Sequence, residues 1–424
     1  MAKGKSGVLG WYFGTNVLVR ILIGLVLGAI VGLIVGPKIQ SIAPLGDLFI
    51  RLLRMIVVPV IFFSLVAGAA SIKPSKLGKV GVKIMIYYLV TTVIAVTIGL
   101  IVANIFRPGS GITLPGEAPG RTLTQPSLIQ TLLNIVPTNP VDSLAKGDVL
   151  PIIFFALVFG IALSYLRDAK DERLSEGATL VFKFCDAAAE TMYKIVRGVL
   201  EYAPIGVFAL IAVVFGNQGA KAFGPLGMVT LTVYVALAIH LFVTYGLALG
   251  SVKLSFLRFL KGAKEAMLTA FVTRSSSGTL PVTLKNADEL GIPRNVSSFT
   301  LPLGATINMD GTVIYQGVCA IFVAFAIGAN LTFAQQLTII ITATLASIGT
   351  AGVPGAGAIM LLMVLNSVGF KVDPGTKVAA AYAMILGIDA LLDMGRTCLN
   401  VTGDLVGTSI VTKTEGELDL TKWK

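Results

Sequence analysis

The 424-residue chain is 55% hydrophobic and only 13% charged, and its mean hydropathy is +0.87. Soluble domains carry about 25% charged residues, so this composition excludes an ordinary soluble protein and places most of the chain in lipid. The net charge of +11 excludes little by itself, because the basic residues cluster between apolar segments, as in membrane proteins, and do not indicate nucleic-acid binding. These clusters contain Lys73, Lys76, Lys79 and Lys83; Arg167, Lys170 and Arg173; and Arg258, Lys261 and Lys264.

A helix that crosses the hydrocarbon core needs about 20 apolar residues. Pro204 lies inside the fifth predicted span and marks a point at which that long helix could break. Lys3 and Lys5 place the N-terminus in the cytoplasm, on the same side as the cluster at 73–83. The predicted spans are 12–36, 43–70, 80–106, 149–167, 176–213 and 224–250.

The stretch 108–140 is rich in Pro, Gly and Thr and predicts a loop with a short helical piece at 128–135.

Three separated cysteines and a single histidine do not have the spacing of a metal site, so we expect them to be packing residues. They are Cys185, Cys319, Cys398 and His240.

After residue 250 the pattern changes to short apolar arms around polar, Gly- and Pro-containing tips. One pair of arms, at 256–290, flanks Arg274–Pro281, and another, at 333–369, flanks Ser347–Gly357. Ten residues such as Leu337–Ala346 cover about 15 Å, half of a bilayer. Each unit therefore predicts a re-entrant hairpin, and paired interrupted segments of this kind indicate a transporter's binding site.

A longer segment follows each predicted hairpin, at 297–328 and at 376–411. In the second, polar residues fall within an arc of about 100° on one helix face, with Asp389 beside them. A charge at the bilayer centre costs about 3 kcal/mol or more. A purely structural network would pair the arginine with one aspartate and leave carboxylates over, so the stripe predicts bound cations. The stripe is Asp393, Arg396, Thr397, Asn400 and Asp404.

These residue types match the chemistry of an acidic amino acid. The planar fork of Arg396 suits a side-chain carboxylate, and Asp393, one turn earlier, suits an α-ammonium group. Asn400 and Thr397 suit the α-carboxylate or hold neighbouring groups. Backbone N–H groups at the hairpin tips, where half-helices begin, also suit a carboxylate.

The run Asn308-Met309-Asp310-Gly311 is a poor helix inside an apolar segment, and we expect the backbone to unwind there. Unwinding frees carbonyl oxygens that, with Asn and Asp oxygens, suit Na⁺, although a kink capped by these side chains is the alternative. In the third span the hydroxyls of Tyr87, Tyr88, Thr91 and Thr92 are a weak signal, for which helix packing is the favoured interpretation.

Together these motifs resemble the glutamate/aspartate transporter family, the dicarboxylate/amino acid:cation symporters, and most closely its archaeal sodium-coupled aspartate transporters. The resemblance covers essentially the whole chain and is densest from 265 to 412. The motifs that carry it are Arg274–Thr279, Asn308–Thr312, Gly349–Gly355, Asp393–Thr397 and Asn400–Asp404.

The resemblance implies an all-α, multi-pass protein of the cell membrane that carries L-aspartate together with Na⁺, and that has no organic cofactor. Eight transmembrane helices and two re-entrant hairpins are expected, in inverted repeats, and three copies form a homotrimer. A transport domain would slide through the membrane like an elevator, with hairpin 2 as extracellular gate. The implied scaffold covers 1–77 and 108–221, the transport domain 78–107 and 222–424, hairpin 1 255–290 and hairpin 2 333–369.

Carried over position by position, the resemblance also implies a substrate site and three Na⁺ sites. The substrate contacts are Arg274, Ser276, Ser277, Met309, Thr312, Val353, Gly357, Asp393, Arg396, Thr397 and Asn400. The first Na⁺ site is Gly304, Asn308, Asn400 and Asp404. The second is Thr306, Ser347, Ile348 and Thr350. The third is Tyr88, Thr91, Thr92, Asn308 and Asp310.

Three positions depart from relatives in this family. Gln316 stands where proton-coupled animal members carry glutamate, which argues against proton co-transport. His240 replaces a glutamine, and we expect a packed, neutral histidine; Thr92 replaces a serine and keeps the hydroxyl.

Three alternatives stay open: a carrier of C4-dicarboxylates, a carrier of neutral amino acids, and an anion channel. An enzyme is not expected, because no nucleophile–base pair or metal triad is visible.

Overall fold

The computed structural model describes residues 15, 17–71, 74–114, 133, 135–348, 350 and 352–423, and every structural statement below refers to these residues. They form helices and connecting segments, without a strand. Five helical stretches are long and apolar enough to cross a membrane, by length and composition. The α-helices are α1 Val17–Val35, α2 Ala43–Ser71, α3 Pro74–Phe106, α4 Pro140–Lys146, α5 Val149–Arg167, α6 Glu172–Gln218, α7 Phe223–Ile239, α8 Gly246–Ser251, α9 Phe256–Thr273, α10 Ser276–Glu289, α11 Arg294–Ile307, α12 Asp310–Ala326, α13 Phe333–Ser347, α14 Ala356–Ser367 and α15 Lys377–Glu415.

Helices α1, α2, α5 and α6 pack together as one group, which we call the outer group. Small residues let α1 approach α6 closely, because a methyl group at Gly28 would lie 2.6 Å from the Phe208 carbonyl oxygen. The break expected near Pro204 is absent, since α6 runs unbroken through it. Pro204 removes one hydrogen bond, but α1 and α2 pack along α6 on both sides of this point in the chain and stabilise it as one helix.

The other long helices gather around α12 and α15, and we call α3 and α7–α15 the inner group. Almost every side chain of α12 and α15 is buried, including their polar ones. These two helices therefore lie in the protein interior, and α3, α9 and α11 pack around them.

The interruption predicted at Asn308 is confirmed: α11 ends at Ile307, and α12 begins at Asp310. The predicted arms correspond to α9, α10, α13 and α14. At the first tip Arg274 adopts a left-handed conformation, with φ 55°, and Ser275 caps α10 by accepting a hydrogen bond from Gly278 N–H at 3.0 Å.

Three features of the fold differ from the sequence predictions or lie beyond them. A π-helical turn, His240–Tyr245, joins α7 to α8 where one regular helix was expected. The short helix α4 was not predicted. Most of the helical piece predicted at 128–135 lies outside the described residues.

Candidate functional site

Arg396 occupies the centre of a buried ion-pair network on α15. Its Nε atom donates to Asp393 Oδ1 at 2.9 Å, and its two terminal nitrogens donate to Asp389 at 2.8 and 3.3 Å. The guanidinium also lies over the ring of Tyr315, 4.3 Å from its centroid. Arg396 is 1% exposed, so both carboxylates and the aromatic face replace the water that the cation has lost.

The start of α14 lies directly over this network. Gly355 N–H donates to Asp393 Oδ2 at 3.1 Å, and Thr397 Oγ1 donates to Asp393 Oδ1 at 3.1 Å. A methyl group at Gly357 would lie 2.9 Å from Arg396 Cζ. Only glycine leaves room for the guanidinium at that position, so the second tip and the charged face of α15 fit closely.

The two tips contact each other. Ser275 Oγ donates to the Gly352 carbonyl at 2.7 Å, and Ser277 N–H donates to the same oxygen at 3.2 Å. Ser276 is buried and Val353 half-buried beside this contact. The tips therefore close the same side of the Arg396 network.

Arg274 completes the first tip. Its side chain is 6% exposed, and its Nε atom has no hydrogen-bond partner among the described residues. Together with Asp389 and Gly355 it lines a small cavity. A buried donor of this kind, beside a cavity, is able to bind an anionic group that enters the cavity.

Asn400 attaches the unwound segment to α15. Its Oδ1 atom accepts from Gly311 N–H at 2.7 Å, and its Nδ2 atom donates to Thr312 Oγ1 at 3.1 Å and lies 3.2 Å from the sulfur of Met309. The predicted substrate residues on α12 and α15 are thus brought together, with Asn400 one turn beyond Arg396 on the same face.

Asp404 lies at a second polar centre, where α11 meets α15. Asn308 Nδ2 donates to Asp404 Oδ1 at 2.9 Å and to the Asn400 carbonyl at 3.3 Å, while Asn308 Oδ1 is buried without a partner among the described residues. A methyl group at Gly304 would lie 2.5 Å from both Asp404 Oδ1 and the Tyr88 hydroxyl. Two oxygen-bearing side chains, those of Asp404 and Tyr88, therefore lie against this glycine, and the first predicted Na⁺ set is brought together.

Asp310, 0% exposed, is the third centre. Its Oδ1 atom accepts from Thr92 at 2.8 Å, and its Oδ2 atom accepts from the Tyr245 hydroxyl at 2.8 Å and lies 3.2 Å from His240 Nε2. His240 is packed and hydrogen-bonded, as its sequence context predicted.

Two hydroxyls of α3 differ in where they point. Thr91 Oγ1 bonds to the carbonyls of Tyr87 and Tyr88 in its own helix, at 3.1 and 3.2 Å. The Tyr88 hydroxyl faces Gly304 and donates to the Thr300 carbonyl at 3.1 Å. Within the third predicted Na⁺ set, Thr92 therefore contacts Asp310, whereas the side chain of Tyr88 lies at the Asp404 centre.

The second predicted Na⁺ set is adjacent but less connected. Thr306 and Ser347 donate to carbonyls of their own helices, at 2.9 and 2.7 Å, and Thr350, beyond the end of α13, donates to the Ala346 carbonyl at 2.8 Å. Ile348 packs against the apolar cluster that contains Leu303. No hydrogen bond joins the two sides in the described part of the chain, which omits residues 349 and 351.

Charge distinguishes the three centres. Arg396 balances part of the charge of Asp389 and Asp393, but Asp404 and Asp310 form no ion pair with a lysine or arginine in the described ranges. A buried carboxylate requires a cation or several donors. The described residues contain no cluster of three His, Cys, Asp or Glu side chains, as a transition metal would prefer. The surrounding carboxylate, amide and hydroxyl oxygens suit a hard cation.

Two contacts were missed by the sequence analysis. Tyr245 reaches Asp310 because of the π-helical turn, which has no signature in the apolar pattern. Asp389 was placed on the polar face but given no role, although it lies about two helical turns before Arg396 on that face.

Comparison with known proteins shows to which family the chain is similar. The profile of the sodium:dicarboxylate symporter family matches residues 17–414. The proton/sodium-glutamate symport protein of Geobacillus stearothermophilus is 35% identical over 399 residues, covering 92% of this chain and 91% of the relative. The proton/glutamate-aspartate symporter of Escherichia coli (strain K12) is 36% identical over 396 residues, covering 91% and 87%. The C4-dicarboxylate transport protein of Rhodospirillum rubrum is 34% identical over 389 residues, covering 90% and 84%.

Gly304→Ala tests the Asp404 centre. The new methyl group would displace the Asp404 carboxylate or the Tyr88 hydroxyl, so we expect NaCl to lose most of its stabilising effect on this variant. Thermal unfolding of the detergent-solubilised protein in NaCl and in choline chloride measures the difference. Gly246→Ala is the control, since a methyl group there meets no atom within 4 Å. An unchanged sodium-dependent shift in Gly304→Ala would remove this centre from cation binding.

Proposed function

Since the chain belongs to the sodium:dicarboxylate symporter family, we propose that it transports an acidic amino acid, L-aspartate, together with Na⁺. The relatives are transporters, and their names give glutamate, aspartate or C4-dicarboxylates as substrates and sodium or protons as coupled ions. The observation that carries the proposal is the pairing of Arg396 with Asp393 beneath the second tip.

Arg396 is the proposed ligand of the substrate's side-chain carboxylate. Its fork presently holds Asp389 in two hydrogen bonds, which is the geometry that a substrate carboxylate would share or replace. A neutral amino acid has no group for this position. The buried Arg274, at the first tip, adds positive charge on the same side.

Asp393 is the proposed ligand of the α-ammonium group. Its two oxygens already accept from Arg396, Thr397 and Gly355, so it is positioned between α15 and the second tip. A C4-dicarboxylate lacks an ammonium group and would meet Asp393 as a like charge. This difference favours an amino acid over succinate as substrate.

The remaining proposed substrate contacts surround the same space. The first tip contributes Ser276 and Ser277, the second Val353 and Gly357, and the unwound segment with α15 contributes Met309, Thr312, Thr397 and Asn400.

Three Na⁺ sites complete the proposal. Asp404, with Asn308 and the carbonyls of Gly304 and Asn400, would hold one ion, and Asp310 with Thr92 would hold another. The third would lie between Thr306 and the second tip, at Ser347, Ile348 and Thr350. Asn400 touches both the substrate residues and the Asp404 centre, so ion binding and substrate binding would stabilise the same backbone.

Uptake by proteoliposomes tests substrate and ion together. We expect labelled L-aspartate to accumulate only with an inward Na⁺ gradient, and excess unlabelled L-aspartate to compete better than succinate or L-alanine. The control is the same vesicles with equal Na⁺ on both sides. Accumulation driven equally well by a proton or K⁺ gradient, or a large substrate-independent anion current without accumulation, would contradict the proposal.

Asp393→Asn tests whether the substrate is an amino acid or a dicarboxylate. The variant keeps the size of the side chain and removes its charge, so binding of L-aspartate should weaken by about 30-fold or more, while binding of succinate should not weaken. Calorimetric titration of both ligands measures the effect. Asp142→Asn, which changes an exposed aspartate of α4, is the control. Equal losses for both ligands would show that Asp393 does not contact the ammonium group.

We further propose that the inner group moves as a transport domain against the outer group, with the second tip as gate, in a homotrimer with a cytoplasmic N-terminus. Helices α9–α15 form one buried unit with α3 and α7. Its contacts with the outer group are sparser: the Ile348 carbonyl lies near Gly68, and Arg54 forms an exposed ion pair of 2.8 Å with Asp373. Exposed apolar residues on α5 and α6 favour contact with lipid or a second copy. Examples are Ile161, Tyr165, Leu180 and Phe184.

A cross-link tests this movement. In a variant without native cysteines, Arg54→Cys and Asp373→Cys joined by a short bis-maleimide should stop uptake but retain aspartate binding. The matched control joins Glu265→Cys to Lys285→Cys, another 2.8 Å ion pair but one within the inner group. Transport that survives the first cross-link, or stops equally with the second, would count against a moving domain.

A further inference from the structure

The π-helical turn between α7 and α8 brings two side chains into contact with the same atom, Asp310 Oδ2. Residues 240 and 245 are five apart, and in a regular α-helix they would point about 140° away from each other. The i→i+5 bonding of a π turn brings such positions onto the same side. As a result the Tyr245 hydroxyl and His240 Nε2 both contact Asp310 Oδ2, and their rings pack edge to face at 4.7 Å.

The Tyr245 hydroxyl also lies beside the other carboxylate centre. A side chain at Gly403 would collide with this hydroxyl and would come within 2.7 Å of Asn308 Nδ2. The two polar groups therefore lie close to each other beside this glycine of α15, although no hydrogen bond joins them among the described residues. Asn308 in turn donates to Asp404 at 2.9 Å. Asp310, Tyr245, Asn308 and Asp404 thus form a row of neighbouring polar groups.

Burial makes this row energetically important. Tyr245, Asp310 and Asn308 are 0% exposed, so a change in charge at one carboxylate is poorly screened at the other. Because Tyr245 donates to Oδ2 and Thr92 donates to Oδ1, these two hydroxyls, together with His240 beside Oδ2, orient the Asp310 carboxylate. A cation that enters the Asp310 centre must accommodate to these contacts.

We infer that Tyr245 is a positioning residue that links cation binding at Asp310 to cation binding at Asp404. The inference rests on the proposed function and extends it to a residue that does not contact the substrate. Its hydroxyl holds the Asp310 carboxylate in the orientation that a cation needs, and it transmits the state of one centre to Asn308 of the other.

Tyr245→Phe is the direct test, because it removes one hydroxyl and keeps the ring against His240. Calorimetric titration gives the dissociation constant of L-aspartate at a series of Na⁺ concentrations. We expect the constant to rise about tenfold at low Na⁺, as for the loss of a hydrogen bond to a charged group. At saturating Na⁺ it should approach the wild-type value, so the total fall of the constant between low and saturating Na⁺ should be about tenfold larger than in the wild type.

Tyr234→Phe is the matched control. It removes a hydroxyl of the preceding helix α7 that also bonds to α15, donating to the Leu391 carbonyl at 2.7 Å, away from both carboxylates. We expect its Na⁺ dependence to equal that of the wild type. Thermal unfolding with and without Na⁺ gives a second readout, since a merely structural tyrosine would lower both melting temperatures equally.

The outcomes separate this inference from the proposed function. A wild-type protein whose aspartate binding ignores Na⁺ would overturn the proposed function itself. A sodium-dependent wild type with an unchanged Tyr245→Phe titration, or with the same loss at every Na⁺ concentration, would overturn the role of Tyr245 alone.

Discussion

Several carboxylates in the interior of a membrane protein must each obtain hydrogen-bond donors or a cation, because water is not there to solvate them. Asp389 and Asp393 share Arg396, and Asp310 and Asp404 accept hydrogen bonds from Thr92, Tyr245 and Asn308. Donors of this kind orient a carboxylate but do not cancel its charge. In the proposed function, cations at Asp310 and Asp404 supply the positive charge that these donors do not.

The irregular backbone of the inner group follows from the same demand. Between Ile307 and Asp310 the chain leaves the helix, which allows Asn308 to reach Asp404 and Gly311 N–H to reach Asn400. Such backbone is tolerated at membrane depth only inside protein, and α12 and α15 are buried on nearly all sides. Glycines at 304, 357 and 403 then let helices approach close enough for polar atoms to meet.

Much of the site could be predicted from the sequence because polar residues are conspicuous in apolar segments. The spacing of Asp393, Arg396 and Asn400 defined one face of α15, and the Asn308 run marked the unwound point. The π-helical turn could not be predicted, since an extra residue in a helix leaves the apolar composition unchanged. The continuity of α6 through Pro204 depends on packing by α1 and α2, which a local rule for proline does not include.

The two ion pairs of Arg396, with Asp389 and with Asp393, have a consequence for selectivity. A ligand carboxylate that reaches Arg396 finds a cation already engaged, so it gains only the difference between its own contacts and those of the resident carboxylates. In the proposed function, the carboxylate of an acidic amino acid therefore binds only weakly to Arg396 while sodium is absent. In the proposed function, sodium that binds beside Asp404 supplies the missing stabilisation. Substrate binding is then selective and depends strictly on sodium.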